Sequence, residues 1–263
     1  MHPMLNIATR AARAAGNIIM RNLDRIDSLS IESKQRNDFV SEVDRAAEAT
    51  IIDTLHQAYP DHAIMAEESG NTGNSEYVWI IDPLDGTTNF LHGFPQFAVS
   101  IALKKGSALE QGVIYDPVKQ ELFTASRGRG AWLDNKRLRV SKRRTLQTSL
   151  IGTGLPYLDN QDIDQYLPVL RDFIKCTSGI RRPGAAALDL AYVAAGRLDG
   201  FWEAGLNVWD VAAGGLLIRE AGGLIGDFNG GEDWLEGEQI VAANPKIFHA
   251  MLQVIKPHCS VKD

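Results

Sequence analysis

The stretch Trp79-Ile80-Ile81-Asp82-Pro83-Leu84-Asp85-Gly86-Thr87-Thr88-Asn89-Phe90 constrains this chain more than any other. Its apolar, β-branched start reads as a buried strand. Pro83 has no N–H to give to a ladder, so the strand is predicted to end there. Asp82 and Asp85, three residues apart, are then delivered together at the end of a rigid element. Carboxylates brought that close repel unless something neutralises them. Mg²⁺ is the natural candidate, because it prefers carboxylate oxygen and keeps water for chemistry.

A chain of 263 residues fits one large domain or two closely joined subdomains. The formal charge of −6 argues against wholesale nucleic-acid or membrane binding, though not against a local basic patch. The two cysteines, Cys176 and Cys259, stand far apart and form neither a disulfide framework nor a metal-ligand spacing. The N-terminus lacks a charged region followed by an apolar stretch, and no run approaches the ~20 apolar residues of a membrane span. These features predict a soluble cytoplasmic protein.

Leu5, Ala8, Ala12, Ala15 and Ile19 mark a first helix, from Leu5 to Leu23. Ser30 to Val40 reads as a connection or short hairpin. Ser41-Glu42-Val43-Asp44 resembles a capping box and opens a second helix that Pro60 stops. Short strands follow at 63–66, 77–81, 97–103, 112–115, 121–125 and 131–133, which suggests a large antiparallel sheet. From Leu150 the pattern changes. Strands at 150–153, 200–203, 224–227 and 239–243 alternate with helices near 161–174, 185–195, 211–221 and 245–254. That alternation favours an α/β half with some parallel pairing. The chain thus divides into a subdomain 1–145, with helices, the large sheet and most candidate ligands, and a subdomain 146–263, the two forming one continuous unit.

Four segments bring acids to element ends: 38–44, 66–69, 82–88 and 207–214, with Glu203 closing the strand before the last. If Glu67, Asp82, Asp85 and Asp210 converge, their charge matches a pair of Mg²⁺ ions. Without metal, carboxylates at ~4 Å repel by about 4 kcal/mol per pair at an effective dielectric near 20. Such a site suits in-line phosphoryl transfer. The N–H groups of Gly86-Thr87-Thr88 could face a phosphate, Thr87 could orient the attacking water, and Asp44 could accept its proton. Taken singly, each piece has a plainer reading. Asp82 to Gly86 is turn chemistry, Glu67-Glu68 and Glu203 are surface, and Asp44 and Asp210 are helix-start residues. The joint pattern carries the argument.

At these residues the chain closely resembles the inositol monophosphatase family, in its bacterial SuhB-type branch. The matching stretches are 37–44, 67–69, 79–90 and 209–214, and the resemblance runs from Met1 to the final helix. It implies a five-layer αβαβα sandwich and Mg²⁺-dependent hydrolysis of inositol monophosphate and related small monoesters. By that resemblance Glu67, Asp82 and the Leu84 carbonyl hold one metal, and Asp82, Asp85 and Asp210 a second. A third, weaker ion would sit near Glu67. Thr87 and Asp44, with Glu67, match the group that activates water. The Gly86 and Thr87 amides match phosphate contacts. Asp85, Glu203, Asp210 and Gly184-Ala185-Ala186 match substrate contacts. Lithium inhibition and a homodimer are further family expectations. So is association with the transcription elongation and antitermination machinery that serves ribosomal RNA synthesis. The same site would also suit fructose 1,6-bisphosphate, a 3′-phosphoadenosine nucleotide or NADP. One departure is Ala185, where the family usually has Ser or Thr, beside a stiffening Pro183.

The densest basic stretch, Lys136 to Arg144, reads as a solvated hairpin edge, or alternatively as an RNA or protein docking strip, although it lacks interleaved aromatics. Arg181-Arg182 reads as a dimer contact or as surface. The histidines show no zinc spacing, and the glycines near Gly128 and Gly152 match neither a P-loop nor a dinucleotide fingerprint. Trp79, Trp132, Trp202 and Trp209 are assigned to core or cleft walls.

Overall fold

Ser41 shows how locally the chain sets its elements. Its hydroxyl accepts the Val43 N–H, Asp44 reaches back to the Ser41 N–H, and α2 (Glu42–Ala58) starts there. Before it, α1 (Pro3–Asn22) buries Leu5, Ala8, Ala12, Ala15 and Ile19 along one face. The computed structural model describes residues 2–28, 31–35, 38–156 and 163–259. Strands β1 (Ile31–Gln35) and β2 (Asp38–Ser41) form the expected hairpin between the helices. Asn37, in the first family-like stretch, lies outside the described residues, as do Gln161 and Asp162, where the helix near 161–174 was expected to begin.

An eight-stranded sheet follows. It comprises β3 (Ala63–Ala66), β4 (Gly70–Thr72), β5 (Tyr77–Asp85), β6 (Ala98–Lys105), β7 (Ala108–Asp116), β8 (Glu121–Ser126), β9 (Gly130–Leu133) and β10 (Lys136–Arg137). A short helix, α3 (Thr87–Leu91), leaves the end of β5. All neighbours pair antiparallel except β3 with β5. The second sheet has the order β12-β11-β13-β15-β14, from β11 (Leu150–Thr153), β12 (Gly179–Arg181), β13 (Gly200–Ala204), β14 (Leu224–Gly226) and β15 (Gln239–Ala243). Its first three strands are parallel and β15 runs against β13 and β14. Helices α4 (Ile163–Cys176), α5 (Ala186–Ala194), α6 (Val208–Glu220) and α7 (Pro245–Ile255) complete the chain.

The layers follow from the strand period of two. On β5, Trp79 and Ile81 join the α1 and α2 core, while Ile80 faces the other way, toward α5 and α6. On β13, Phe201 faces α5 and α6, and Trp202 faces α4 and α7. The result is a five-layer αβαβα sandwich: α1 and α2, large sheet, α5 and α6, small sheet, α4 and α7. Among the described residues no helix is long and apolar enough to cross a membrane.

Several boundaries differ from the sequence expectation. Strand β5 does not stop at Pro83 but runs on to Asp85. The register against β6 shifts between Asp82 and Asp85, so Pro83 sits in a bulge where no ladder N–H is required. Helix α6 begins at Val208, three residues before the expected Val211. The short edge strands β4 and β12 were not foreseen, while β10 falls in the stretch read as a hairpin edge. Of the basic stretch, only Lys136 and Arg137 lie in an edge strand. Trp79 and Trp202 are buried and Trp209 is half-buried, but Trp132 is exposed on β9, the strand next to the edge strand β10.

Candidate active site

The bulge in β5 is where the site begins. Asp82 is 1% exposed, and one of its oxygens accepts the Leu84 N–H at 3.0 Å. Asp85, past the bulge, turns toward the middle layer and accepts the Ala187 N–H at 2.7 Å. That N–H belongs to the first turn of α5, whose N-cap is Ala185 and has no side-chain oxygen of its own. Asp85 therefore does from across the cleft what a serine or threonine at position 185 would do locally.

Gly86 has φ +89°, and a Cβ there would lie 2.9 Å from the Gln96 carbonyl oxygen, so only glycine fits this turn. Thr87 opens α3. Its hydroxyl lies 3.0 Å from an Asp44 oxygen and 3.0 Å from the Leu84 carbonyl, and its one proton can serve either. The other Asp44 oxygen accepts the Ser41 N–H and hydroxyl. Asp44 thus caps α2 with one oxygen and meets the Thr87 hydroxyl with the other. Burial raises its carboxyl above the usual range, against the pull of the Ser41 and Thr87 hydrogen bonds.

Glu67 follows β3, and its N–H continues the pairing with β5 by donating to the Ile81 carbonyl at 3.2 Å. Glu48, buried on α2, accepts the next two N–H groups, from Glu68 at 2.8 Å and Ser69 at 2.9 Å. Asp210 stands in the first turn of α6, where it accepts the Asn207 N–H at 2.7 Å. The start of α6 docks on β6 through a hydrogen bond from the Ser100 hydroxyl to the Trp209 carbonyl, at 3.2 Å. Ser100 is the residue paired with Asp82 across the ladder. In this way Asp210, 128 positions further along the chain, comes to the Asp82 side of the sheet.

The charges register this meeting. Asp82 is pushed well above the carboxylate range, first by burial and then by the charges of Glu67, Asp85 and Asp210. Asp85 is raised to about 7, chiefly by burial, with the Ala187 N–H opposing and Glu67 adding. Among the described residues no three of these side chains are closed into a ready coordination sphere. The charges of Glu67, Asp85 and Asp210 nonetheless reach Asp82 and repel it. The donor chemistry fits a hard cation: carboxylate oxygens in excess, no sulfur or imidazole, and too much negative charge to leave unbalanced.

The residues expected on the substrate side come from the start of α5 and from β13 of the small sheet, with α3 packed beside them. Asn89 of α3 directs its amide to the carbonyls of Gln96 at 2.7 Å, Pro183 at 2.9 Å and Gly184 at 3.1 Å, drawing the Gly184-Ala185-Ala186 segment against α3. Glu203 is half-buried and raised to about 8 by burial and the Asp210 charge, with Arg182 opposing. Sequence reasoning missed Asp189, Glu48 and Asn89. Asp189 is 1% exposed, with one carboxylate oxygen unpartnered, and it is raised by burial and by the charges of Glu203 and Asp85. Its signal was available, since it is the lone charge in residues 185–196. Glu48 had a signal too, lying four residues after Asp44 on the same helix.

This layered fold, with acids gathered at the end of β5, defines a phosphatase-fold protein. The chain belongs to the inositol monophosphatase family, whose model matches residues 1–258. It is 58% identical over 264 residues to a Pseudomonas aeruginosa protein named Nus factor SuhB, covering 98% of this chain and 97% of that one. Among solved structures, the extragenic suppressor protein suhB of Bartonella henselae has a TM-score of 0.94 at 46% identity, covering 97% of this chain and 99% of that one. The inositol monophosphatase of Anabaena has a TM-score of 0.87 at 38% identity, covering 96% and 95%.

Proposed function

We propose that the chain is a Mg²⁺-dependent phosphatase that hydrolyses inositol monophosphate and related small phosphate monoesters. The observation that supports this most is the mutual repulsion of Asp82, Glu67, Asp85 and Asp210 beside a hydrogen-bonded Thr87–Asp44 pair. In this reading Glu67, Asp82 and the Leu84 carbonyl hold one Mg²⁺, Asp82, Asp85 and Asp210 a second, and Glu67 helps with a weaker third. When bound, Mg²⁺ supplies Lewis-acid stabilisation of the phosphate's developing charge and makes water more acidic. Thr87 orients the attacking water, and Asp44 takes its proton with help from Glu67. Burial has already made Asp44 a stronger base than an exposed aspartate. The Gly86 and Thr87 amides hold phosphate oxygens. Asp85, Glu203, Asp210 and the Gly184-Ala185-Ala186 main chain receive the polyol hydroxyls.

Phosphate release from inositol 1-phosphate should require Mg²⁺ and fall at least a hundredfold in Asp85→Asn and Asp210→Asn. Undiminished turnover by either variant removes the mechanism. A substrate panel ranked by kcat/KM should favour the polyol monoester over fructose 1,6-bisphosphate, a 3′-phosphoadenosine nucleotide and NADP. A hundredfold preference for a nucleotide would reverse the choice of substrate.

A second reading rests on the relative named Nus factor SuhB. The chain would then also join the transcription elongation and antitermination machinery, as a homodimer. Complementation of a strain lacking the protein by Asp85→Asn would support a role independent of catalysis, and failure of a stably folded Asp85→Asn to complement would tie the two together.

A further inference from the structure

The basic stretch does not stay together as one edge. Lys136 and Arg137 remain on the large sheet, while Ser141, Lys142 and Arg143 pass over the small sheet. There they meet Arg181, from the end of β12, and Arg197, from the turn after α5, around a cavity of about 720 Å³. Its floor is built rather than incidental. Asp199, 7% exposed, accepts the Leu150 N–H at 2.7 Å, and its N–H returns to the Leu150 carbonyl at 2.9 Å. Asn244, 4% exposed, pins the rim by donating to the Ser141 hydroxyl at 3.2 Å and the Arg143 carbonyl at 3.1 Å.

The cavity is distinct from the acid site. Leu150, Ser178 and Asp199 stand at the N-terminal ends of three parallel strands, β11, β12 and β13. Glu203 lies near the C-terminal end of β13, four residues beyond Asp199, or about 13 Å along the strand. One end of this sheet is therefore acidic and the other basic.

The charge balance selects the ligand. Four cationic side chains surround one carboxylate, Asp199, which lies 4.0 Å from the Arg143 guanidinium. Arg197 is held in a two-pronged pair with Glu121, so its guanidinium is fixed and largely balanced. Lys142 is exposed and, among the described residues, has no ion-pair partner. The Ser141, Thr148 and Ser178 hydroxyls add hydrogen-bonding groups. No aromatic side chain lines the cavity, so nothing is offered for stacking a base. Guanidinium and ammonium groups at this density, in a chain of net charge −6, suit a small and highly charged anion. We propose that this basin is a second ligand site, which binds a compact anion carrying two or more linked phosphate groups.

Inorganic tripolyphosphate, titrated calorimetrically into the full chain in EDTA, tests the site without contribution from metal chemistry. Binding should saturate at one ligand per chain. Lys142→Glu and Arg143→Glu should each weaken it at least tenfold, whereas Lys136→Glu, the same charge change outside the basin, should alter it less than twofold. Asp85→Asn should bind as the parent does, so failure of the phosphatase reading would leave this result untouched. If Arg143→Glu proves poorly folded by its melting profile, Lys142→Gln carries the test with at least a threefold loss. The proposal is overturned by an absence of saturable binding or by an equal loss in Lys136→Glu, which would mean a diffuse charged strip. It is also overturned if a twelve-nucleotide single-stranded RNA binds and tripolyphosphate cannot displace it.

Discussion

Glu48 shows what a single buried acid contributes without touching the reaction. Its two oxygens accept the Glu68 and Ser69 N–H groups, and so fix the backbone immediately after Glu67. Glu48→Ala would leave the half-buried Glu68 N–H without its acceptor, at a cost of up to about 1–3 kcal/mol, while the exposed Ser69 N–H can turn to water. Glu48→Gln keeps one acceptor. We expect Glu48→Ala to raise the Mg²⁺ concentration for half-maximal phosphate release at least tenfold, with Glu48→Gln intermediate. An unchanged Mg²⁺ requirement in a folded Glu48→Ala protein would show that Glu67 is placed by something else. Glu203 gives a pH test. Its carboxyl is raised from 4.5 to about 8, so the folded state favours the protonated form. The stability this provides is complete below about pH 4.5 and is lost as pH rises through about 8. The metal-free protein should melt several degrees lower at pH 8.5 than at pH 6, and Glu203→Gln should flatten that slope. Parallel slopes in parent and variant would place the titration elsewhere. The acids themselves were visible in the sequence because they cluster with Pro and Gly at element ends. Glu48 and Asp189 escaped because each sits within a helix, where an acid ordinarily means solvent.

At the scale of elements, periodicity located most strands and helices but not their ends. Pro83 should have terminated β5, and the bulge that absorbs it depends on β6, which local sequence does not report. The early start of α6 is instead local, because Asp210 accepts the Asn207 N–H across the first turn, a capping signal that the sequence carried. The small residues of α5 and α6 have a reason that only the layers reveal. Both helices lie between two sheets and must pack closely against each other. A Cβ added at Gly214 would lie 2.5 Å from the Leu190 Cβ, an atom that no rotamer change can move. Gly214→Ala gains about 1 kcal/mol of helix propensity. It also forces the two helices apart, an overpacking cost of typically about 1–3 kcal/mol. The net cost, about 1 kcal/mol at the middle of that range, should lower Tm by roughly 2–4 °C in a chain of this size. A Tm equal to or above the parent's would mean the middle layer has slack.

Across the whole molecule, the site exists because separate layers deliver charge to one place. Glu67, Asp82 and Asp85 come from the large sheet, Asp210 from the middle layer, and Glu203 from the small sheet. Motif spacing suggested that these acids belong together and repel one another, but their burial could be seen only once the sheets were stacked. Folding without a cation must gather like charges, and that opposes the layers that do the gathering. A cation bound by the folded state alone would reverse this, adding about 2.7 kcal/mol at a hundredfold excess over Kd. Mg²⁺ should therefore raise Tm by roughly 5–10 °C in a concentration-dependent manner. Asp82→Asn should behave oppositely in two respects. Its metal-free Tm should equal or exceed the parent's, because one repelling charge is gone, and its response to Mg²⁺ should shrink to a small fraction. Differential scanning calorimetry in EDTA and over a Mg²⁺ series measures both. A parent protein indifferent to Mg²⁺, or an Asp82→Asn variant that responds fully, would mean that the carboxylates relieve their repulsion by holding protons instead.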